Sequence, residues 1–202
     1  MNHAERVRVC DDGPLVTRLG FGASAIGGLF TPVSEDEGTA VARAALDIGL
    51  RYIDTAPLYG LGASERRVGA ALGEVAREDF TISTKVGRLV RRKPATFETL
   101  PEGMWHVPDD LKPVFDFSRD GVRRSLVESL ERLDLDAVYI ALVHDPDGFV
   151  DRVITETLPA LRELCDEGLV RAVGIGMADT DALEQIVRAA PVDCVLIAGR
   201  FT

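Results

Sequence analysis

Long apolar runs are missing. Nowhere do the ~20 consecutive apolar residues of a membrane-spanning helix occur, and the N-terminal stretch MNHAERVRVC lacks the apolar centre of a secretory signal. An excess of basic charge is missing as well. A net charge of −10 offers no cationic face to a phosphate backbone, which sets nucleic acids aside as partners. It also disfavours adsorption to an anionic membrane surface. Cysteine and histidine are scarce, three of each. Cys10, Cys165 and Cys194 are far apart and odd in number, so they read as free thiols of a reducing compartment, the cytoplasm, and not as a disulfide framework. His3, His106 and His144 show no metal-ligand spacing with one another or with the cysteines, so no metal site is expected.

What is present suits a core. Apolar residues make up 46% of 202, enough for one large domain. Two short alternating runs flank the turn signal Asp11 to Pro14, which predicts a small hairpin within residues 6–22. Leu19 to Ala23 is a candidate first strand of the main sheet. Gly20 to Ala25 (GFGASA) matches the dinucleotide pattern GxGxxA, yet that loop must open a helix at once. Here Ile26, Gly27, Gly28 and Pro32 intervene, so the stretch reads as a glycine-rich strand end. Ser34 to Glu37 is a capping box. It opens a helix predicted to bury Val41, Ala44, Ala45 and Ile48, with Gly49 as its stop.

The rest follows the same rhythm. A strand ends at Asp54; a helix runs from Ser64 to about Leu72 with Val68, Ala71, Leu72 and Val75 on one face. Phe80 to Thr84 is a β-branched strand ending on Lys85. Residues 86–117 are expected to be irregular, with Arg88, Arg91, Arg92 and Lys93 read most simply as a solvated basic run and a phosphate or acidic-substrate contact as the lesser reading. Ser118 caps a helix that buries Val122, Leu126, Leu130 and Leu133. Val138 to Val143 is a buried strand ending on His144. A helix burying Leu158, Leu161, Leu164 and Cys165 is limited by Pro159 to the part after about Glu156 and stops at Gly168. Strands at 171–176 and 193–197 flank a helix at 180–190. Strand and helix alternate six times, which implies parallel strands with helical crossovers, either a (β/α) barrel or a doubly wound open sheet.

Arg51 to Gly60 (RYIDTAPLYG) concentrates the chemistry. Asp54 closes a strand, Pro57 forces a loop, and Tyr59 follows on it. Asp54, Lys85 and His144 each fall at the carboxyl end of a strand, where barrel enzymes hold their reacting groups. A lysine ammonium beside the phenol would lower its pKa from near 10, Asp54 would balance the buried lysine, and His144 would orient a carbonyl or hydroxyl. Such a tyrosine exchanges a proton with a substrate oxygen while a hydride moves on the carbon. Lys85 as a Schiff-base lysine of an aldolase is the competing enzyme class. Glu65 reads most simply as a cap of the second helix, Asp145 and Asp147 as loop structure with sugar-hydroxyl contact as the lesser reading, and Cys165 and Cys194 as core packing.

RYIDTAPLYG with GASERRVG after it, TKVGR, LVHDPD and VRAVGIG together resemble the aldo-keto reductases nearly end to end. VFDFSRDGVRRSLVESLERL and LVHDPD are similar, more narrowly, to its aldose 1-dehydrogenase branch. The resemblance implies a (β/α)8 TIM barrel, NADP or NAD as cofactor, no metal, an aldose or aldehyde substrate, and Asp54, Tyr59, Lys85 and His144 as the catalytic set. Cofactor contacts would fall on Gly22, Asp54, Gly176 and Phe201, the last in place of a tyrosine that stacks on the nicotinamide. Gly176 and Met177 stand where most members carry Ser-Asn, and Ala198 where a glutamine is usual. Only about six of the eight β/α units fit into residues 1–202, so a single incomplete barrel domain is expected. A catalytically inactive fragment or an interaction subunit is the alternative to an active oxidoreductase.

Overall fold

The computed structural model describes residues 2–92, 104–107 and 110–199. The chain opens on the expected hairpin: β1 (Arg6–Arg8) pairs antiparallel with β2 (Leu15–Thr17). Then follow β3 (Phe21–Gly22), α1 (Glu35–Asp47), β4 (Tyr52–Asp54), α2 (Ala63–Leu72), β5 (Thr81–Val86), β6 (Arg88–Arg92), β7 (Leu111–Phe115), α3 (Arg119–Leu133) and β8 (Ile140–His144). A short turn α4 (Val150–Arg152), α5 (Leu158–Asp166), β9 (Ala172–Met177), α6 (Thr180–Ala189) and β10 (Cys194–Ile197) complete the series. No helix of the described residues is long and apolar enough to cross a membrane.

Six strands form one sheet in the order β10-β9-β8-β5-β4-β3, every neighbouring pair parallel. The sheet curls as part of a (β/α) barrel, which decides between the two folds that alternation permits. β5, β8 and β9 are buried along their whole length, as parallel strands covered on both faces must be. The strand period of two sorts their side chains. Ile53, Ile82, Val86, Ala141, Val143, Val173 and Ile175 turn outward into the core shared with the helices. Tyr52, Ile140, Leu142, Ala172, Cys194 and Leu196 turn inward and meet Val9 and Val16 of the hairpin. The hairpin is held at the amino ends of the strands: the Thr17 hydroxyl accepts from the backbone of Arg51 and Tyr52, both at 3.1 Å, and Thr81 donates to Leu15 O at 2.6 Å. The carboxyl ends are thereby left for the chemistry.

Three expectations change. In α1 the capping box at Ser34 and Glu37 forms and Gly49 turns the chain at φ 93°. The buried face, however, is Gly38, Ala42, Ala45 and Leu46, whereas Ala44 is exposed and Val41 and Ile48 are 48% and 66% exposed. Small residues lie all around this helix, so periodicity alone mislocates its inner stripe. Residues 86–117 are not wholly irregular, because β6 and β7 pair as an antiparallel ribbon. Helical turns begin at Val150, earlier than Pro159 suggested. A wide turn over Val153–Thr157, in which the Leu158 amide reaches back to Val153 O, accommodates the proline at the start of α5.

Glu65 does not cap α2. It is fully buried between α2, α3 and β5, accepting from the Thr84 hydroxyl at Oε1 and from Arg132 Nε at Oε2, both at 2.6 Å. Glu65→Ala leaves the Arg132 guanidinium with only Ser129 at 3.2 Å and Glu128 at 4.0 Å, and urea denaturation is expected to show a loss of about 3 kcal/mol. Glu65→Ala combined with Arg132→Met removes both charges and is expected to lose clearly less.

Candidate active site

The same strand period that builds the core delivers the polar groups. Asp54 is two residues after Tyr52 on β4, Lys85 two after Ser83 on β5, and His144 two after Leu142 on β8, so each lies on the inner face at the carboxyl end of its strand. Register aligns them: Asp54 pairs with Ser83, Lys85 with Leu142, and His144 with Gly176.

Lys85 is the centre. Its Nζ donates to Asp54 Oδ2 at 2.6 Å, to Thr55 O at 3.0 Å and to the Tyr59 hydroxyl at 2.9 Å. The other Asp54 oxygen accepts from Ser83 Oγ at 2.6 Å, and Tyr52 OH lies 3.0 Å from that same Oγ. Tyr59 reaches this point from a loop fixed by close backbone approach. A side chain at Gly60 (φ 62°) would lie 2.0 Å from Gly27 O, and one at Gly27 would meet Tyr59 C at 2.7 Å. The Gly27 turn is itself held by buried Arg67, which donates to Ile26 O and to Val33 O. Ser64 at the start of α2 joins Thr55 Oγ1 (2.9 Å) to Ala23 O (2.8 Å), locking the ends of β3 and β4 together.

The Tyr59 ring stands edge-on to His144 with centroids 5.8 Å apart, and 5.9 Å from the Trp105 ring. His144 Nε2 lies 3.5 Å from Asp145 Oδ2, while Nδ1 is buried and finds no partner among the described residues. Arg88 is not a solvated residue. Its Nη2 meets Asp145 Oδ2 at 2.9 Å and its guanidinium lies over Phe115. Arg91 pairs with Glu128 and Arg92 with Asp110. Gly22 ends β3 and Gly176 is one residue from the end of β9 at this mouth. Lys93 and Phe201 lie outside the described residues.

The electrostatics revise one expectation. Burial raises the Tyr59 pKa and outweighs the downward pull of Lys85, with Asp54 adding to the rise. The phenol therefore keeps its proton at neutral pH. For Lys85, burial opposes the ammonium, but Asp54 and Tyr59 overcome it and the pKa is raised. A lysine so held stays protonated, which counts against a Schiff-base role. Burial, helped by the charges of Lys85 and Arg88, holds His144 well below the usual imidazole value. It is neutral, and the carboxylate facing Nε2 favours the tautomer with its proton there. Burial also raises Asp145, against the pull of Arg88.

Sequence reasoning singled out Asp54, Tyr59, Lys85 and His144, and the fold brings all four together. It passed over Ser83, Thr55 and Trp105. Ser83 was within reach of the period-two rule counted back from Lys85; Thr55 acts through its backbone, and the position of Trp105 depends on a long loop.

The chain is similar to known proteins over most of its length. The model of the "Aldo/keto reductase family" matches residues 18–202. The D-threo-aldose 1-dehydrogenase of a Pseudomonas species is 45% identical over 196 residues, covering 94% of this chain and 59% of that protein. The L-galactose dehydrogenase of Arabidopsis thaliana is 37% identical over 190 residues, covering 91% and 53%. Among solved structures, a holo-form aldo-keto reductase from Bacillus halodurans superposes with a TM-score of 0.75 at 25% identity, over 96% of this chain and 57% of that one. The chain thus spans between half and three-fifths of the length of these relatives.

A neutral His144 has a measurable consequence. Because its folded pKa is depressed, the unfolded chain binds the extra proton first as pH falls. The contribution of the neutral ring is complete above about pH 6.5 and is lost progressively below it. Nitrogen-detected NMR is expected to show His144 still uncharged, with one protonated ring nitrogen, at pH values where an ordinary imidazole is charged, and His144→Asn is expected to flatten the acid side of the stability profile.

Proposed function

The chain belongs to the aldo/keto reductase family, and from that premise we propose that it is an NAD(P)-dependent oxidoreductase interconverting an aldehyde, or the lactol of an aldose, and its hydride-transfer partner. One observation carries the reading: a buried ammonium bonded at once to a carboxylate and to a phenol, Lys85 to Asp54 and Tyr59. The aldose dehydrogenases among the relatives support a sugar-like substrate.

The residues present fit a nicotinamide. A side chain at Gly22 would meet nothing within 4 Å, and one at Gly176 would make only ordinary contacts from 3.5 Å outward. Protein packing therefore does not require either glycine, and the bare backbone there suits the close approach of a flat ring. Gly22, Asp54 and Gly176 are the groups that would hold it, and the cofactor would supply or accept the hydride.

The chain's own part is the proton. In the reducing direction Tyr59, protonated because it is buried, donates to the carbonyl oxygen as negative charge develops there. The Lys85 ammonium, already bonded to the phenol oxygen, stabilises the phenolate that remains. Asp54 keeps that ammonium in place and charged. Neutral His144 donates from Nε2 to the same substrate oxygen and fixes its direction. In the oxidising direction the phenolate must take a proton, so the form that acts is the minor one at pH 7.

Turnover followed at the nicotinamide absorbance band tests this. Tyr59→Phe is expected to lose roughly 10²–10⁴-fold in kcat. Oxidation by the unaltered chain is expected to accelerate with pH through the alkaline range, because the phenol pKa is raised, while reduction stays level through neutrality. Lys85→Met is expected to push the alkaline rise higher still. Unchanged turnover in Tyr59→Phe, or a borohydride-trapped adduct on Lys85, would sink the reading.

A further inference from the structure

The oxidoreductase reading uses the neighbour of His144 only to set its tautomer and gives Asp145 no contact with the substrate. Asp145 adopts φ 40°, in the left-handed region that non-glycine residues enter uncommonly. Its amide is fixed there by a 2.9 Å bond to Gly176 O. The turn brings the carboxylate back beside His144, with Oδ2 3.5 Å from Nε2. Arg88, only 11% exposed, clamps that oxygen at 2.9 Å and is steadied by the Phe115 ring and by the His144 carbonyl. The Asp145 side chain nevertheless remains 36% exposed. A strained turn, a largely buried arginine and an aromatic support thus hold a half-open carboxylate 3.5 Å from the imidazole.

We propose that Asp145, clamped by Arg88, selects substrates that carry a hydroxyl on the carbon adjacent to the reacting one, which makes the site one for polyhydroxylated aldehydes and their lactols. The assignment rests on the oxidoreductase reading. An ionised carboxylate only accepts hydrogen bonds, so its complement on the ligand is a donor. With the reacting oxygen on Tyr59 and His144, the donor nearest to Asp145 is a hydroxyl on the next carbon. A ligand carboxylate there would meet like charge. Trp105 points to the same ligand class from a separate observation. Its indole Nε1 is buried without a partner among the described residues, next to the Tyr59 ring, and a second ligand oxygen would satisfy it.

Trp105 is the sole tryptophan of the chain, so its emission reports occupancy of the site. Titration with L-galactose and with 2-deoxy-L-galactose is expected to show the deoxy sugar binding at least about tenfold more weakly, as loss of a charge-assisted hydrogen bond implies. In Asp145→Ala the preference is expected to vanish through weaker binding of L-galactose, with the deoxy sugar changing far less; Asp145→Asn, which keeps an acceptor, falls between. Circular dichroism confirms that the variants fold. A flat response to both sugars, equal weakening of both, or a discrimination that survives in Asp145→Ala overturns the proposal. So does a fall in kcat shared by both sugars with their KM ratio intact, which would make Asp145 a positioning residue for His144. Discrimination through Asp145 without nicotinamide-dependent turnover would leave the contact between Asp145 and the sugar hydroxyl standing and remove the oxidoreductase reading, and with it the adjacency to a reacting carbon.

Discussion

An ammonium taken out of water must find every partner inside the protein. Lys85 has three N–H bonds and three acceptors: the Asp54 carboxylate, the Thr55 carbonyl and the Tyr59 hydroxyl. Nothing is left over, so the position of each acceptor is dictated by the cation. Asp54 is fixed in turn by Ser83 and, one bond further, by Tyr52. The buried charge therefore explains why a loop tyrosine points into the barrel mouth at all. Remove the ammonium and the phenol has no anchor; remove the carboxylate and the ammonium has no balance.

The same low-dielectric surroundings act oppositely on the two neutral groups. Burial favours the uncharged form of each, so the phenol pKa rises and the imidazole pKa falls. Two ion pairs, Lys85 with Asp54 and Arg88 with Asp145, flank these two proton carriers. Formal charge across the six residues sums to zero, which lets a proton leave Tyr59 without stranding net charge before it does so. The anion that results forms against the one cation able to hold it.

Much of this was legible in the chain because the strand period is rigid. Asp54 and His144 end their strands and Lys85 is one residue short of the end of its own, and a period of two puts all three on the inner face. Helices with one apolar stripe, such as α3 with Val122, Leu126, Leu130 and Leu133, were equally plain. What failed had physical reasons. α1 carries alanine and valine on several sides, so its stripe could not be phased, and Val41, Ala44 and, just after the helix, Ile48 face outward. The β6–β7 ribbon joins segments far apart in the chain, and the alternation of RLVRR is masked by arginine. The direction of the Tyr59 pKa depends on depth of burial, which residue identity does not state. Arg88 looked solvated because nothing in a run of arginines marks the one that turns inward.

β5 shows how stability and chemistry share one strand. Thr84 faces the helices and bonds to Glu65, itself paired with Arg132. Lys85, the next residue, faces the opposite way and bonds to Asp54. Adjacent residues thus connect to separate buried ion pairs on the two faces of the sheet. A slip of one residue would exchange the faces, placing the ammonium among the helices and the threonine at the barrel mouth. The Lys85–Asp54 pair would then be broken inside the protein at the cost of an uncompensated buried charge, and Glu65 would lose the Thr84 hydroxyl. The charges that perform the proposed proton transfer are in this way also part of what holds the strand in register. The structural pair on the outer face makes the same demand independently, and the position of Lys85 does not rest on the active site alone.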